Sequence, residues 1–260
     1  MIRICTLMAF AGMTAVGQAN AAIALATSGE TLYRVDLSNG NVETFNLGDE
    51  IVSQMVTSTG DVLAFSNTKS GGQYEVYELT DPTGAAPSLN QIGSRSLEAF
   101  GHSEANGVMY AIRNGDLYTV DNSSYELTFV GDTGINGTGS TAFDTASGTF
   151  YALSSQTDSL YRIDGFDTAS PSAALIGSAG VAFRNQGMEF FDGVLYAAMQ
   201  NDAGTRMNIG TVDTATGLFT SLVEIETNGV APTSLAVVVP TPGAISLLAV
   251  AGVAATRRRR

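Results

Sequence analysis

The sequence predicts an all-β chain, a five-bladed β-propeller over residues 22–239 whose first and last strands pair to close the ring. Three observations predict it: a short apolar phrase that occurs five times, a second strand-like phrase before each copy, and a strand missing from the first repeat but available at the end of the domain.

The first phrase is Leu32-Tyr33-Arg34-Val35-Asp36. It returns as Val76-Tyr77-Glu78-Leu79-Thr80, Leu117-Tyr118-Thr119-Val120-Asp121, Leu160-Tyr161-Arg162-Ile163-Asp164 and Ile209-Gly210-Thr211-Val212-Asp213. Successive copies stand 44, 41, 43 and 49 residues apart, the roughly 40- to 50-residue period of a four-stranded blade and longer than that of most solenoids. The recurring Tyr33, Tyr77, Tyr118 and Tyr161 therefore read as blade packing before they read as a ligand platform.

The second phrase is Asp61-Val62-Leu63-Ala64-Phe65, Gly107-Val108-Met109-Tyr110-Ala111, Gly148-Thr149-Phe150-Tyr151-Ala152 and Gly193-Val194-Leu195-Tyr196-Ala197. Short Val-, Leu- and Tyr-rich runs bounded by Gly, Asn and Asp are strands, and no segment of the domain keeps a helical period. Asn39-Gly40, Asn106-Gly107 and Asn114-Gly115 supply turns, since both residue types tolerate positive φ.

A further apolar element precedes each pair, at residues 53–56, 98–101, 141–144 and 187–190. The first repeat lacks one, because residues 22–27 already match the second strand; Ser234-Leu235-Ala236-Val237 is unpaired and of the right type. One blade built from both ends fastens the ring and hides strand edges. A β-sandwich or an irregular β-repeat array is the alternative.

Composition bounds the function. The chain has 260 residues, 44% of them hydrophobic, with a formal net charge of −13, enough apolar matter for a packed core and the wrong sign for a nucleic-acid partner. Cys5 is the single cysteine and lies in the leader, so thiolate metal sites and cysteine nucleophiles drop out. His102 is the single histidine and reads as a hydrogen-bonded turn residue rather than a base.

Both ends read as addresses. Residues 1–21 carry Arg3, an apolar run over residues 4–16 and Ala19-Asn20-Ala21, the pattern of a secretory signal peptide with Ala19 and Ala21 at the positions a signal peptidase reads. The other end, residues 240–260, runs Pro240-Thr241-Pro242-Gly243, an apolar stretch over residues 244–255, then Arg257-Arg258-Arg259-Arg260. As a helix that stretch is about 18 Å long, short of a bilayer core of about 30 Å, and the arginines would hold it with its end cytoplasmic. It suits a temporary anchor. Without these ends the domain keeps 7 bases against 25 acids, a net −18.

The order of proline motif, short apolar helix and terminal arginines resembles the PEP-CTERM sorting signal of exported bacterial proteins, with Thr241 where the usual motif has glutamate. The resemblance covers about the last 22 residues. It implies a membrane-embedded exosortase-type enzyme that cuts near the proline motif and passes the protein to the cell surface or extracellular matrix.

Candidate chemistry inside the domain is thin. Asp36-Leu37-Ser38-Asn39-Gly40, Asp144-Thr145-Ala146-Ser147-Gly148 and Asp213-Thr214-Ala215-Thr216-Gly217 lack the further in-register carboxylates that a calcium loop requires, and read as turns in which Asp accepts backbone hydrogen bonds. Residues 132–139 form a Gly-rich link with no Lys and no following helix, so no phosphate cradle. Glu98, Asp144 and Glu189 fall on or beside the expected inner strands and are the candidate channel carboxylates, able in principle to work as an acid/base pair. Against catalysis stands the absence of Trp to stack a sugar and of long loop insertions to wall a pocket. The expectation is an exported, non-enzymatic structural or interaction module at the surface or in the matrix, without cofactor. Its partners would be signal peptidase, an exosortase-type enzyme and extracellular polysaccharide or matrix components. The alternative is a secreted carbohydrate-active or calcium-dependent glycan-binding propeller.

Overall fold

The computed structural model describes residues 22–240. Ala19 and Ala21, and Thr241, Pro242, Gly243 and Arg257 to Arg260 of the tail, lie outside the described residues. Twenty strands form five four-stranded antiparallel sheets in a ring, a five-bladed β-propeller. There is no helix among the described residues.

From axis to rim, the first blade is β20 (Thr233–Val238), β1 (Ile23–Ser28), β2 (Thr31–Asp36) and β3 (Val42–Asn46). The second is β4 (Ile51–Val56), β5 (Val62–Ser70), β6 (Gln73–Thr80) and β7 (Ser88–Arg95). The third is β8 (Phe100–Ala105), β9 (Val108–Arg113), β10 (Asp116–Val120) and β11 (Leu127–Asp132). The fourth is β12 (Thr138–Asp144), β13 (Thr149–Ser154), β14 (Ser159–Asp164) and β15 (Ser172–Ser178), and the fifth β16 (Asn185–Phe191), β17 (Val194–Gln200), β18 (Arg206–Val212) and β19 (Phe219–Glu226). The two recurring phrases are the middle strands of every blade.

The expected clasp is present. Strands β1 and β20 pair from Ile23↔Val238 to Ser28↔Thr233, with Ala26 opposite Leu235. Val239 lies beyond the strand.

Burial follows from blade stacking. Each blade is covered on both faces by its neighbours, so strands such as β1 (IALATS) bury residues of both parities, as sheets covered on both faces do. The core is accordingly divided into five clusters, one between each pair of adjacent blades. Leu153 and Leu160 meet Leu195 and Met199 between the fourth and fifth blades; Ile209 and Met207 meet Val35 and Leu235 between the fifth and first.

The outer strands share a device. In four blades the outer strand carries one extra residue against its partner: Ile92, Val130, Ile176 and Leu222 are skipped in the pairing, just before the partner reaches Tyr77, Tyr118, Tyr161 and Gly210. A bulge at a rim twists the open edge and blunts edge-to-edge association.

Turn chemistry matches expectation at most positions. Asn106-Gly107 and Asn114-Gly115 both have positive φ at both residues, the two-residue hairpin conformation. Asp36, Asp144 and Asp213 each accept backbone N–H groups of their own turn, at Ser38 (2.8 Å), Ala146 (2.9 Å) and Ala215 (2.9 Å). At Asn39-Gly40 only the glycine is left-handed, because this turn is closed by the Gly40 N–H on the Asp36 carbonyl (2.8 Å).

One element differs. The inner strand of the third blade is β8 at Phe100–Ala105, not residues 98–101. Its polar run His102-Ser103-Glu104 resembles a turn in sequence, and a bulge at Gly101 shifts the register, which together hide the strand.

Candidate functional site

The five inner strands run parallel about the axis and leave almost no bore. Mid-channel, lined by all five strands, the space is about 10 Å³, roughly that needed by one water. Two glycines explain the closure. A Cβ on Gly101 would stand 2.6 Å from the Ser140 Cα, and one on Gly187 would stand 2.3 Å from the Leu235 nitrogen, so adjacent inner backbones meet at distances no side chain allows. Polar side chains flank these glycines and bond across blades, as in the Ser103 hydroxyl with that of Thr141 (2.8 Å) and the His102 N–H donating to the Ser53 hydroxyl (3.0 Å).

Ligand space therefore lies at the two mouths. Where the inner strands begin, the entry mouth is a cavity of about 210 Å³ whose lining includes Asn114, Arg184, Asn185 and Gln186 and no carboxylate. Where the inner strands end, the exit mouth is a cavity of about 640 Å³. Its lining mixes the apolar Val56, Phe143, Phe190, Phe191 and Val237 to Val239 with the polar Thr57, Ser58, Thr59, Ser103, Asn106 and Thr145, and its ionisable groups are Glu104 and Glu189. A cavity that combines apolar wall with polar groups is the kind of arrangement small ligands use.

The two carboxylates hold the end of β4 and the loop after it. The Val56 N–H donates to Glu189 Oε2 (3.4 Å), and the Ser58 N–H donates to Glu104 Oε2 (3.0 Å). Strands β16 and β4 are not ring neighbours, so the Glu189 contact spans the axis and caps the channel. Glu189 is partly buried, and desolvation among these apolar walls pushes its carboxyl up to about 8, the two backbone N–H groups at Val56 and Phe190 opposing the rise only in part. At neutral pH it is a proton-bearing group with room in front of it.

The three carboxylates expected from sequence are not brought together. Glu98 precedes β8 on the entry side; Asp144 ends β12 on the exit side, its oxygens taken by Ala146 N–H and the Ser147 hydroxyl. Glu189 alone of the three lines a mouth. Glu104, overlooked in the sequence, takes the place in the third blade that Glu98 was expected to fill.

His102 is neither turn residue nor accessible base. It sits within β8, buried, stacked on Phe65 at 3.6 Å between centroids. Its Nε2 lies 2.5 Å from Nη1 of Arg95, itself fully buried and bonded to the Ala99 carbonyl (2.9 Å). Burial first, then the Arg95 charge, holds the imidazole well below its ordinary value. It is a neutral acceptor for a buried guanidinium that burial lowers to about 10.

No family model matches this chain, and no curated protein matches it. Solved structures do. A protein of unknown function from Bacteroides caccae superposes with a TM-score of 0.53 at 10% identity, over 84% of this chain and 99% of that one. A chain of a nidogen/laminin complex gives 0.50 at 9% identity, over 84% and 98%. The glutaminyl cyclase of Myxococcus xanthus gives 0.49 at 14% identity, over 70% and 83%. At these identities the likeness is one of fold alone.

Proposed function

We propose that this chain is an exported bacterial surface or extracellular-matrix protein, a non-enzymatic structural and interaction module that its C-terminal tail sorts. The observation that supports the sorting half is where the ring closes. The last strand ends at Val238, two residues before the proline motif, so everything an exosortase-type enzyme would remove lies beyond the propeller. Cutting there costs the fold no strand. The non-enzymatic half draws support from the closed axis and from the polar contacts of Glu189 and Glu104, which are backbone N–H groups.

The test is mass spectrometry of native surface material. The mature form is expected to begin near Ala22 and to end near Pro240 to Gly243; an intact C-terminus on exported, membrane-free protein refutes the sorting. Replacing Arg257 to Arg260 by Ser is expected to let the uncut chain slip through, since each charge near mid-membrane costs about 2.5 to 3.5 kcal/mol to insert.

One observation favours a second reading, a carbohydrate-active propeller: Glu189 is a proton-bearing carboxyl facing the largest axial cavity, as a general acid must be. Hydrolysis of arabinan or xylan by residues 22–240, lost in Glu189→Gln, would put this reading first.

A further inference from the structure

We propose that the exit mouth is a binding site for a primary ammonium carried on an apolar stem, the chemistry of a lysine side chain on a partner polypeptide. This deepens the interaction-module reading and rests on it. Three features of the mouth argue for that ligand.

The first is charge. Glu104 and Glu189 are the ionisable side chains among the residues lining the cavity, and no Lys, Arg or His lines it. The neighbouring exit-side cleft, which shares Glu104 and residues 57–59, adds Asp61 and Glu78 and again no base. A cation approaching this side meets acidic groups and no base, Glu189 bearing its proton until the cation arrives, in a domain of formal net −18, and such a field concentrates cations at a low-dielectric cleft.

The second is shape and wall chemistry. Phe190 and Phe191 of β16, both partly exposed, and the exposed Val239 just after β20 give the cavity an apolar stretch of wall, suited to a methylene stem that buries its length while its head reaches a polar group.

The third is the arrangement of acceptors. Each carboxylate accepts a backbone N–H through Oε2, from Val56 at Glu189 and from Ser58 at Glu104, with the Phe190 N–H a second donor beside Glu189; further acceptor sites remain on both groups, and an ammonium supplies three donors with no fixed plane. The planar fork of a guanidinium prefers both oxygens of one carboxylate, and here one oxygen of each is engaged.

The arrival of the ammonium also draws the proton from Glu189, so at pH 7 binding releases protons to solvent. Glu104 is the other titratable group facing the cavity.

The experiment is calorimetric titration of purified residues 22–240, which contain all twenty strands, with n-hexylammonium, n-hexanol, glucosamine and a lysine-bearing hexapeptide. Hexylammonium and the peptide are expected to bind at least tenfold more tightly than hexanol, with apparent binding heats at pH 7 that differ between phosphate and Tris according to the buffers' ionisation heats. Hexanol binding as well as hexylammonium overturns the proposal without recourse to any variant. Glucosamine binding more tightly than hexylammonium overturns the apolar stem. The double variant Glu104→Gln/Glu189→Gln, with its thermal melt as a check on folding, is expected to lose the ammonium preference; a folded double variant that keeps it also overturns the proposal. A dimer in ultracentrifugation that hexylammonium dissociates would assign the mouth to a second copy of the chain and likewise overturn it. None of these outcomes depends on whether the tail is cut or a glycan is hydrolysed, so failure here leaves the broader reading to its own tests.

Discussion

Gly187→Ala isolates the contact that closes the ring. Gly187 lies on β16 against β20, and an added methyl would stand 2.3 Å from the Leu235 nitrogen, 2.3 Å from the Ser234 carbonyl carbon and 2.6 Å from the Ser234 Cα. All three are backbone atoms, which cannot swing aside, so the strands must part by about 1 Å to restore ordinary carbon contact at about 3.5 Å. Overpacking of this kind costs about 1 to 3 kcal/mol; relief of glycine's chain entropy returns about 0.4 to 1 kcal/mol, and backbone rigidity places the net loss near 2 kcal/mol. For a domain of this size each kcal/mol shifts Tm by about 2 to 4 °C, so a fall of about 4 to 8 °C is expected. Gly193→Ala is the control: its φ is +78° but nothing lies within 4 Å of the new methyl, so it carries only the left-handed penalty of about 1 to 2 kcal/mol. The pair is read by urea unfolding and by melting. Because the two costs overlap in size, a third variant separates them: Gly187→Val adds bulk at the same contact and must worsen the loss, whereas a β-branched residue in an open strand would be neutral or better. Gly187→Ala within 0.5 kcal/mol of wild type, or Gly187→Val no worse than Gly187→Ala, refutes the reasoning.

Truncation after Pro232 removes β20 and exposes the β1 edge; loss of cooperative unfolding is expected, and an unchanged melt would count against the clasp. For Glu189 the folded value of about 8 stands above the ordinary 4.5. The folded state keeps a proton the unfolded chain has lost, so stability falls as pH rises through that window. Denaturant titrations from pH 4 to 9 should show Glu189→Gln gaining on wild type between about 4.5 and 8 and level above it, with a slope below the full 1.4 kcal/mol per pH unit because the group is partly exposed. His102 has the opposite sign: its folded value lies well below 6.5, so its contribution is present above pH 6.5 and is lost as pH falls below it. His102→Asn should flatten the acid limb; an unchanged limb would show that the imidazole is not what titrates there.

The middle strands were legible because each lies between blades and must be apolar: Leu32, Leu117 and Leu160 are fully buried. The clasp was legible by subtraction, since a propeller repeat short of one strand must borrow it. The outer strands were not located, and their surface explains why. Phe129 and Leu175 are more than half exposed, so rim positions obey neither period. A signal was nonetheless present in Gln91-Ile92-Gly93, Phe129-Val130-Gly131 and Leu175-Ile176-Gly177. The middle residue is the bulge, and the glycine admits the next loop, a Cβ on Gly131 standing 2.5 Å from Pro171 and one on Gly177 standing 2.1 Å from the Thr216 oxygen. The candidate site was half legible. Glu189 was found because β16 is apolar around it, whereas Glu104 was missed because β8 carries polar side chains whose partners, Thr141 for Ser103 and Arg95 for His102, come from elsewhere in the chain.

The pairing of Ile23 with Val238 puts both ends of the ring side by side at the open end of one hydrogen-bond ladder. Tension applied between those ends meets the six residue pairs in succession, from Ile23↔Val238 inward to Ser28↔Thr233, and never all six in parallel. The same closure that leaves the blade without a loose edge is thus a zipper with its pull at the chain termini. A load carried across the rim instead is shared among several ladders, and the ring is mechanically strongest in the directions in which its own ends do not pull.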